Sequence, residues 1–340
     1  MQNGKIKALF SVSVLAFAVM IGGCSSEQKQ ETVAETSEEQ TDDEEEAEED
    51  DDSVLWNGKS YIYNDHLSNF LFLGVDTREK TETSQGLADA GQADALFLVS
   101  MDRVTKELTV ITIPRDTMAE IQFYGPGGDD LGKDVDHINL SYAYGDGGYE
   151  SCKLSAEAVS NLLYQVPIQY YCSMSMGGIG KLTEAVGGLT VTMPNDSLAE
   201  KVPGWEKGTE IQLTPENTEL FVRSRDTKVS QSALDRTERQ KEFLNAYYAK
   251  VKELATEDSG IWTKLYEKMK PYLTTNMGND LFLQLGDAVQ SDADIQQWTI
   301  PGEGQQGENY DEYIVDDKAL YEEVIQTFYK ETETADETEK

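Results

Sequence analysis

Three continuous apolar runs constrain this fold more than any other feature: FLFLGV from Phe70 to Val75, ALFLVSM from Ala95 to Met101 and LTVITI from Leu108 to Ile113. A strand with one wet face alternates polar and apolar residues, whereas a strand covered on both faces reads as an unbroken apolar stretch. Buried strands are therefore predicted. Each run abuts charge: the first leads into Asp76-Thr77-Arg78, the second follows Asp94, and the third ends in Pro114-Arg115-Asp116. In open α/β sheets ligands bind outside the carboxyl ends of strands, which is where Asp76, Arg78, Arg115 and Asp116 would lie. Antiparallel pairing of the first two runs would also bring Asp76 and Asp94 together.

Further along, residues 119 to 150 are rich in glycine, aspartate and tyrosine without a clear period. They read as a long surface excursion around Asp136-His137-Ile138-Asn139, with His137 either facing a ligand or hydrogen-bonded within the loop. Patterning then predicts a helix at 154–164, a strand at 168–174, a helix at 177–186 and a strand at 188–193. Thr214-Pro215-Glu216 is a helix start, a capping residue followed by proline at the first helical position. Helices from Ser232, at 260–274 and at 279–289, a strand at 295–300 and a helix at 317–329 complete an α/β alternation. No linker interrupts it, so residues 56–330 are taken as one domain.

Arginine is scarce and clustered. The chain has seven arginines, four of them (Arg223, Arg225, Arg236 and Arg239) between positions 223 and 239, while Arg78 and Arg115 follow apolar runs. Lysine would serve solubility equally well, so this choice points to the planar fork that grips phosphate or carboxylate. In the helix from Ser232, Arg236, Gln240, Phe243, Tyr247 and Val251 share one face. Two readings follow: an amphiphile with its phosphate at the arginines and its hydrocarbon tail beyond, or an amphipathic core helix whose first turn reaches solvent.

The net charge of −36 makes nucleic acid an improbable partner, since residues 54–330 alone carry 44 acids against 24 bases. A few arginines in an acidic body suit a local anion site, with a divalent cation offsetting the carboxylates. Residues 1–24 have the form of a secretory signal, with Lys5 and Lys7 before a short apolar core, and Ile21-Gly22-Gly23-Cys24 resembles a lipobox whose Cys24 is lipidated. Residues 25–55 form an acidic tether with too few apolar residues to fold, and 331–340 an acidic tail. Cys152 and Cys172 are either a disulfide or two small buried residues.

Eight motifs now stand in order: FLFLGVDTR, ADALFLVSMD, ELTVITIPRDT, HINLSYAYGDG, VPIQYY, AVGGLTVTM, LFVRSRDT and DRTERQ. Together they resemble the LytR-CpsA-Psr family of bacterial cell-envelope proteins over roughly residues 68–250. The resemblance implies an α/β/α sandwich with a central mixed sheet. It implies a phosphotransferase moving a glycopolymer from a polyprenyl pyrophosphate carrier to peptidoglycan outside the membrane. By position, Asp76 and Asp94 match magnesium ligands, and Arg78, Arg115, Arg223, Arg225, Arg236 and Arg239 match arginines around the pyrophosphate. Gln240 closes the last motif, Phe243 and Tyr247 continue its helix face as substrate contacts under the amphiphile reading, and Asp116 either accepts a proton from the acceptor hydroxyl or orients Arg115. Where many members have Arg-Ser-Asp, this chain has Gln92-Ala93-Asp94. A non-catalytic lipid-phosphate binder and a pyrophosphatase stay open as alternatives.

Replacing Cys24 by alanine is expected to leave an unprocessed precursor, seen as a mass that retains the first 23 residues. Normal processing and release in that variant would contradict lipidation.

Overall fold

The computed structural model describes residues 53–78, 90–224, 232–258, 260–290, 295–308 and 310–332. Cys24, the signal and most of the tether lie outside these residues, as does Arg225. The body opens with a hairpin of β1 (Val54–Trp56) and β2 (Lys59–Tyr63). Its two-residue turn is Asn57-Gly58, with φ of 50° and 78°, the positive pair that a type I′ turn requires. The folded body thus begins inside the segment expected to be tether.

The three apolar runs form β3 (Leu67–Val75), β4 (Ala93–Asp102) and β5 (Leu108–Ile113). Residues 119–150 correct the expectation of an irregular excursion. They hold β6 (Met118–Tyr124), β7 (Asp130–His137), a 3-10 turn at Ile138–Ser141 and the start of α1 (Tyr149–Leu162). The hairpin hid from periodicity because β7 is exposed along most of its length and so has no apolar alternation to show.

Next come β8 (Tyr170–Ser175), α2 (Gly177–Ala185), β9 (Leu189–Thr192), β10 (Glu210–Leu213), α3 (Pro215–Arg223) and α4 (Ser232–Glu257). At the start of α3 the Thr214 N–H donates to the Asn217 side chain at 2.8 Å. After α5 (Ile261–Met269), Pro271 lacks the N–H that would continue the helix, and the chain turns into β11 (Leu273–Thr275). The helix expected over 260–274 is therefore short. Then follow α6 (Asn279–Gln290), β12 (Ile295–Thr299), β13 (Gly302–Gln306), β14 (Asp311–Val315), α7 (Asp317–Phe328) and β15 (Tyr329–Glu331).

The central sheet has the order β11-β8-β3-β4-β5-β12. It is mixed: β3 pairs antiparallel with β4 and parallel with β8, and β5 pairs parallel with β12. Alternate residues of one strand feed two cores. Phe70 and Phe72 join the layer with α2 to α6, while Leu71, Leu73 and Val75 join the layer with α1 and α7. Both faces are covered, which is why the runs are apolar throughout. The two cysteines fall in different layers, Cys152 in the second and Cys172 in the first, and both are buried and unbridged. Burial without a bridge is the outcome.

The hairpin β13–β14 docks on the loop that follows β5, where the Tyr313 N–H donates to the Asp116 carbonyl at 2.8 Å. His137 clamps the same contact. Its Nδ1 faces the Asp136 carboxylate at 2.9 Å and its Nε2 the Asp311 carbonyl at 3.0 Å, so an imidazolium donates to both. Burial opposes charging of the ring, but these two acceptors outweigh it and hold its pKa above the ordinary 6.5. A raised folded pKa means that the clamp's contribution is complete below about 6.5 and is lost as pH rises through the raised value. The stability difference between wild type and His137→Gln, measured by thermal unfolding across pH, is expected to be largest at acid pH and to shrink on going basic. A difference that widens with pH would contradict the clamp.

Candidate active site

Each piece of the site sits where a strand or helix ends. β3 stops at Val75 and releases Asp76-Thr77-Arg78, which is pinned over the start of α2 by the Met176 N–H, donated to the Val75 and Thr77 carbonyls at 3.1 and 2.8 Å. A Cβ on Gly177 would come within 2.0 Å of the Arg78 carbonyl oxygen, so the close approach needs glycine there.

Across from it, Gly74 pairs with Ala95 and Val75 with Ala93, leaving Asp94 as the extra residue of a β-bulge. Bulges re-aim one side chain at a strand end. Asp94 is aimed between two arginines. Arg115 donates through one terminal nitrogen to Asp94 Oδ1, and Arg236 places Nη1 at 3.9 Å from Asp94 Oδ2. Burial disfavours the Arg115 cation, but Asp94 and Asp116 outweigh it and hold its pKa above the ordinary value. Arg236 is itself buried, 7% exposed.

Asp76 and Asp94 thus lie at the same end of two antiparallel strands, as anticipated. Asp76 Oδ1 accepts from the Gln92 N–H at 2.8 Å. Two residues that sequence reasoning passed over complete this corner. Asn139 donates its amide to the Gln92 side chain at 3.2 Å and its N–H to the Arg115 carbonyl at 3.3 Å, while its own Oδ1 is buried without a hydrogen bond. Glu219 accepts from Arg78 at 3.3 Å and from Arg223 at 3.1 Å through one oxygen. Arg223 also reaches the Asp76 carbonyl, at 3.4 Å. Asp116 accepts from Arg115 Nε at 2.9 Å, the orienting role that stood as the alternative to a base.

Four of the expected substrate contacts are placed otherwise. Arg239 is 0% exposed; its Nε donates to the Phe221 carbonyl at 2.8 Å and its two terminal nitrogens to Ser197 Oγ and the Ser224 carbonyl. Gln240 donates to the Val222 carbonyl at 3.2 Å. These carbonyls belong to the last turn of α3 and its exit, which lack intrahelical partners and favour a cation. Burial lowers the Arg239 pKa to about 10, still charged at neutral pH. Phe243 and Tyr247, 4% and 0% exposed, are packed into the first core layer, so the stripe expected to meet a hydrocarbon tail is core.

The side chains offered to a ligand here are oxygens and guanidinium groups. Oxygen donors suit a hard cation such as magnesium, and Asp76 and Asp94 are the carboxylates at the end of the β3–β4 pair. Among the described residues no group of three or more His, Cys, Asp or Glu could hold a metal. Two carboxylates with the remaining positions filled by substrate phosphates and water is the ordinary pattern for magnesium.

A covered mixed sheet with arginines and carboxylates gathered at its strand ends defines an α/β/α protein with a charged corner at one end of the sheet. The chain matches the LytR_cpsA_psr family over residues 25–328 and belongs to that family. A Bacillus cereus relative named polyisoprenyl-teichoic acid–peptidoglycan teichoic acid transferase TagU is 28% identical over 238 residues, 69% of each chain. The protein of that name from Halalkalibacterium halodurans is 30% identical over 180 residues, 52% of this chain and 51% of its own. Among solved structures, TagV of B. subtilis aligns with a TM-score of 0.56 at 23% identity, covering 77% of this chain and 97% of its own. TagT bound to LI-WTA aligns with a TM-score of 0.56 at 22% identity, covering 77% and 90%.

Arg239→Ala is expected to destabilise the fold by about 2–4 kcal/mol, because it leaves buried carbonyls unpaired. Arg78→Ala, at an exposed side chain, should stay within about 0.5 kcal/mol. Urea unfolding measures both; equal losses would contradict the structural role of Arg239.

Proposed function

We propose that this protein is a glycopolymer transferase of the cell envelope, moving a polyprenyl pyrophosphate-linked glycopolymer such as a teichoic acid onto peptidoglycan. Membership of the family and the names of its relatives support the reaction class. The observation that carries it to particular residues is the part-buried Asp94 held between Arg115 and Arg236, with Asp76 on the neighbouring strand end. Extracytoplasmic placement through a lipid on Cys24 is part of the same reading, supported by the form of residues 1–24.

Phosphoryl transfer asks a protein for positioning and charge stabilisation more than for covalent chemistry. Arg115 and Arg236 provide fixed cations in a partly buried site, where charge developing on the phosphate is stabilised more than in water. Asp116 holds the Arg115 fork in place. Arg223, steadied by Glu219, presents a further guanidinium beside the Asp76 loop. Asp76 and Asp94 would hold magnesium, which supplies neutralisation of the pyrophosphate oxygens when bound. Arg225, next along the chain, belongs to the same arginine set by position in sequence.

The test is incubation of the protein with a polyprenyl-pyrophosphoryl oligosaccharide, magnesium and peptidoglycan fragments, with mass analysis of both products. Arg115→Lys keeps charge but loses the fork and is expected to lower turnover on the order of 10²-fold, as is Asp94→Asn, and chelation of magnesium should abolish it. Full activity in these variants would refute the site. Release of free phospho-oligosaccharide without attachment would identify a pyrophosphatase, and binding without turnover a carrier-binding protein.

A further inference from the structure

At the end of the sheet remote from Asp76 and Asp94, a cleft of about 430 Å³ is lined by Trp56, Asn57, Tyr164, Asp317, Lys318, Tyr321 and Glu322. Its place follows from the topology. β8 runs parallel to β3, so residues ahead of Tyr170 lie at the amino end of β3, and the Pro167 carbonyl accepts from the Asn69 side chain at 2.7 Å. Tyr164 sits just before that contact, at the end of α1, whereas Asp76 leaves β3 at its other end.

Two observations show that the cleft is built. The first is backbone conformation. Tyr164 and Gln165 have φ of 55° and 68°, the left-handed region in which helices usually end on glycine. A bulky side chain is disfavoured there, so the fold holds the Tyr164 ring in the cleft against a local preference. The second is the set of contacts around it. Tyr164 packs edge-on to Tyr321 with ring centroids 5.0 Å apart and donates its hydroxyl to Asp317 Oδ1 at 2.6 Å. Trp56 also lines the cleft, beside the tight Asn57-Gly58 turn.

The lining selects a ligand class. Three aromatic rings call for an apolar face. The polar groups are of mixed sign, one ammonium, two carboxylates and one amide, so they favour neither a simple anion nor a simple cation. They offer donors and acceptors together. A pyranose ring has this complementary form, with a face of C–H bonds rimmed by hydroxyls, and the volume falls within the roughly 300–1,000 Å³ of small-molecule sites.

We propose that this cleft is a saccharide-binding subsite that engages a sugar unit of a glycan strand away from the transfer site. The ring of Trp56 or of one tyrosine takes the C–H face, the other tyrosine standing edge-on behind its partner, and Glu322, Lys318 and Asn57 take the hydroxyls. The inference stands on this cleft alone and does not depend on the transferase reading. The chemistry is shared by peptidoglycan and by sugar-bearing glycopolymers.

The full chain is titrated with the β-1,4-linked tetramer of N-acetylglucosamine and, separately, with a glycerol phosphate oligomer, by calorimetry and tryptophan emission. Saturable binding of the tetramer is expected, weakened at least about tenfold by Trp56→Ala and by Glu322→Ala and unchanged by Arg115→Ala. Glu322 is exposed, so that variant keeps the wild-type unfolding midpoint and separates lost binding from lost folding. Tetramer binding equal to wild type in both cleft variants would overturn the proposal. So would no binding below about 10 mM, or loss of binding in Arg115→Ala, which would place the sugar at the transfer site. Peptidoglycan sedimentation with the same variants assigns the source: retention lost with Trp56→Ala supports a peptidoglycan strand, and retention unchanged beside weakened tetramer binding supports a sugar-bearing glycopolymer.

Discussion

The interaction on which the site depends is the placement of Asp94 between Arg115 and Arg236 in a partly dry corner of the sheet. A carboxylate removed from water is costly unless it is paired, and Asp94 is paired with two guanidinium groups, one of which is held in turn by Asp116. The bulge at Asp94 makes the geometry possible, since a regular strand would have placed residue 94 in the ladder and turned its carboxylate elsewhere.

A second layer of residues holds the first. Asn139 joins the Gln92 loop to the backbone of Arg115, Glu219 is shared between Arg78 and Arg223, and Arg239 closes the carbonyl end of α3 immediately before the arginine pair of that segment. In each case the side chain acts on the position of a neighbour. Guanidinium groups of one cluster therefore have two kinds of partner, the Asp94 carboxylate and the carbonyls of a helix end, and residue type alone does not separate them.

The apolar runs explain why the sheet was legible. A strand buried on both faces has no polar positions to interrupt it, so β3, β4 and β5 announce themselves, and the proline after Thr214 marks α3 for an equally local reason. Hairpins β6–β7 and β13–β14 are stabilised by each other and by His137, and their exposed strands carry no pattern of their own. Strand β11 is three residues long and exists through its pairing with β8.

Residue order alone thus determined the buried strands, the charged ends they present and the arginine scarcity, because these rest on local pattern and composition. Which arginine faces the site was settled by packing: Arg236 and Arg239 lie three residues apart on one helix, yet one reaches Asp94 across the sheet end while the other is enclosed by the exit of α3. The fate of Phe243, Tyr247, Cys152 and Cys172 was settled in the same way. Periodicity states that a face is apolar or a thiol small, but whether that face meets a ligand or a core depends on what the distant chain brings against it, and those contacts have no signature in the neighbouring residues.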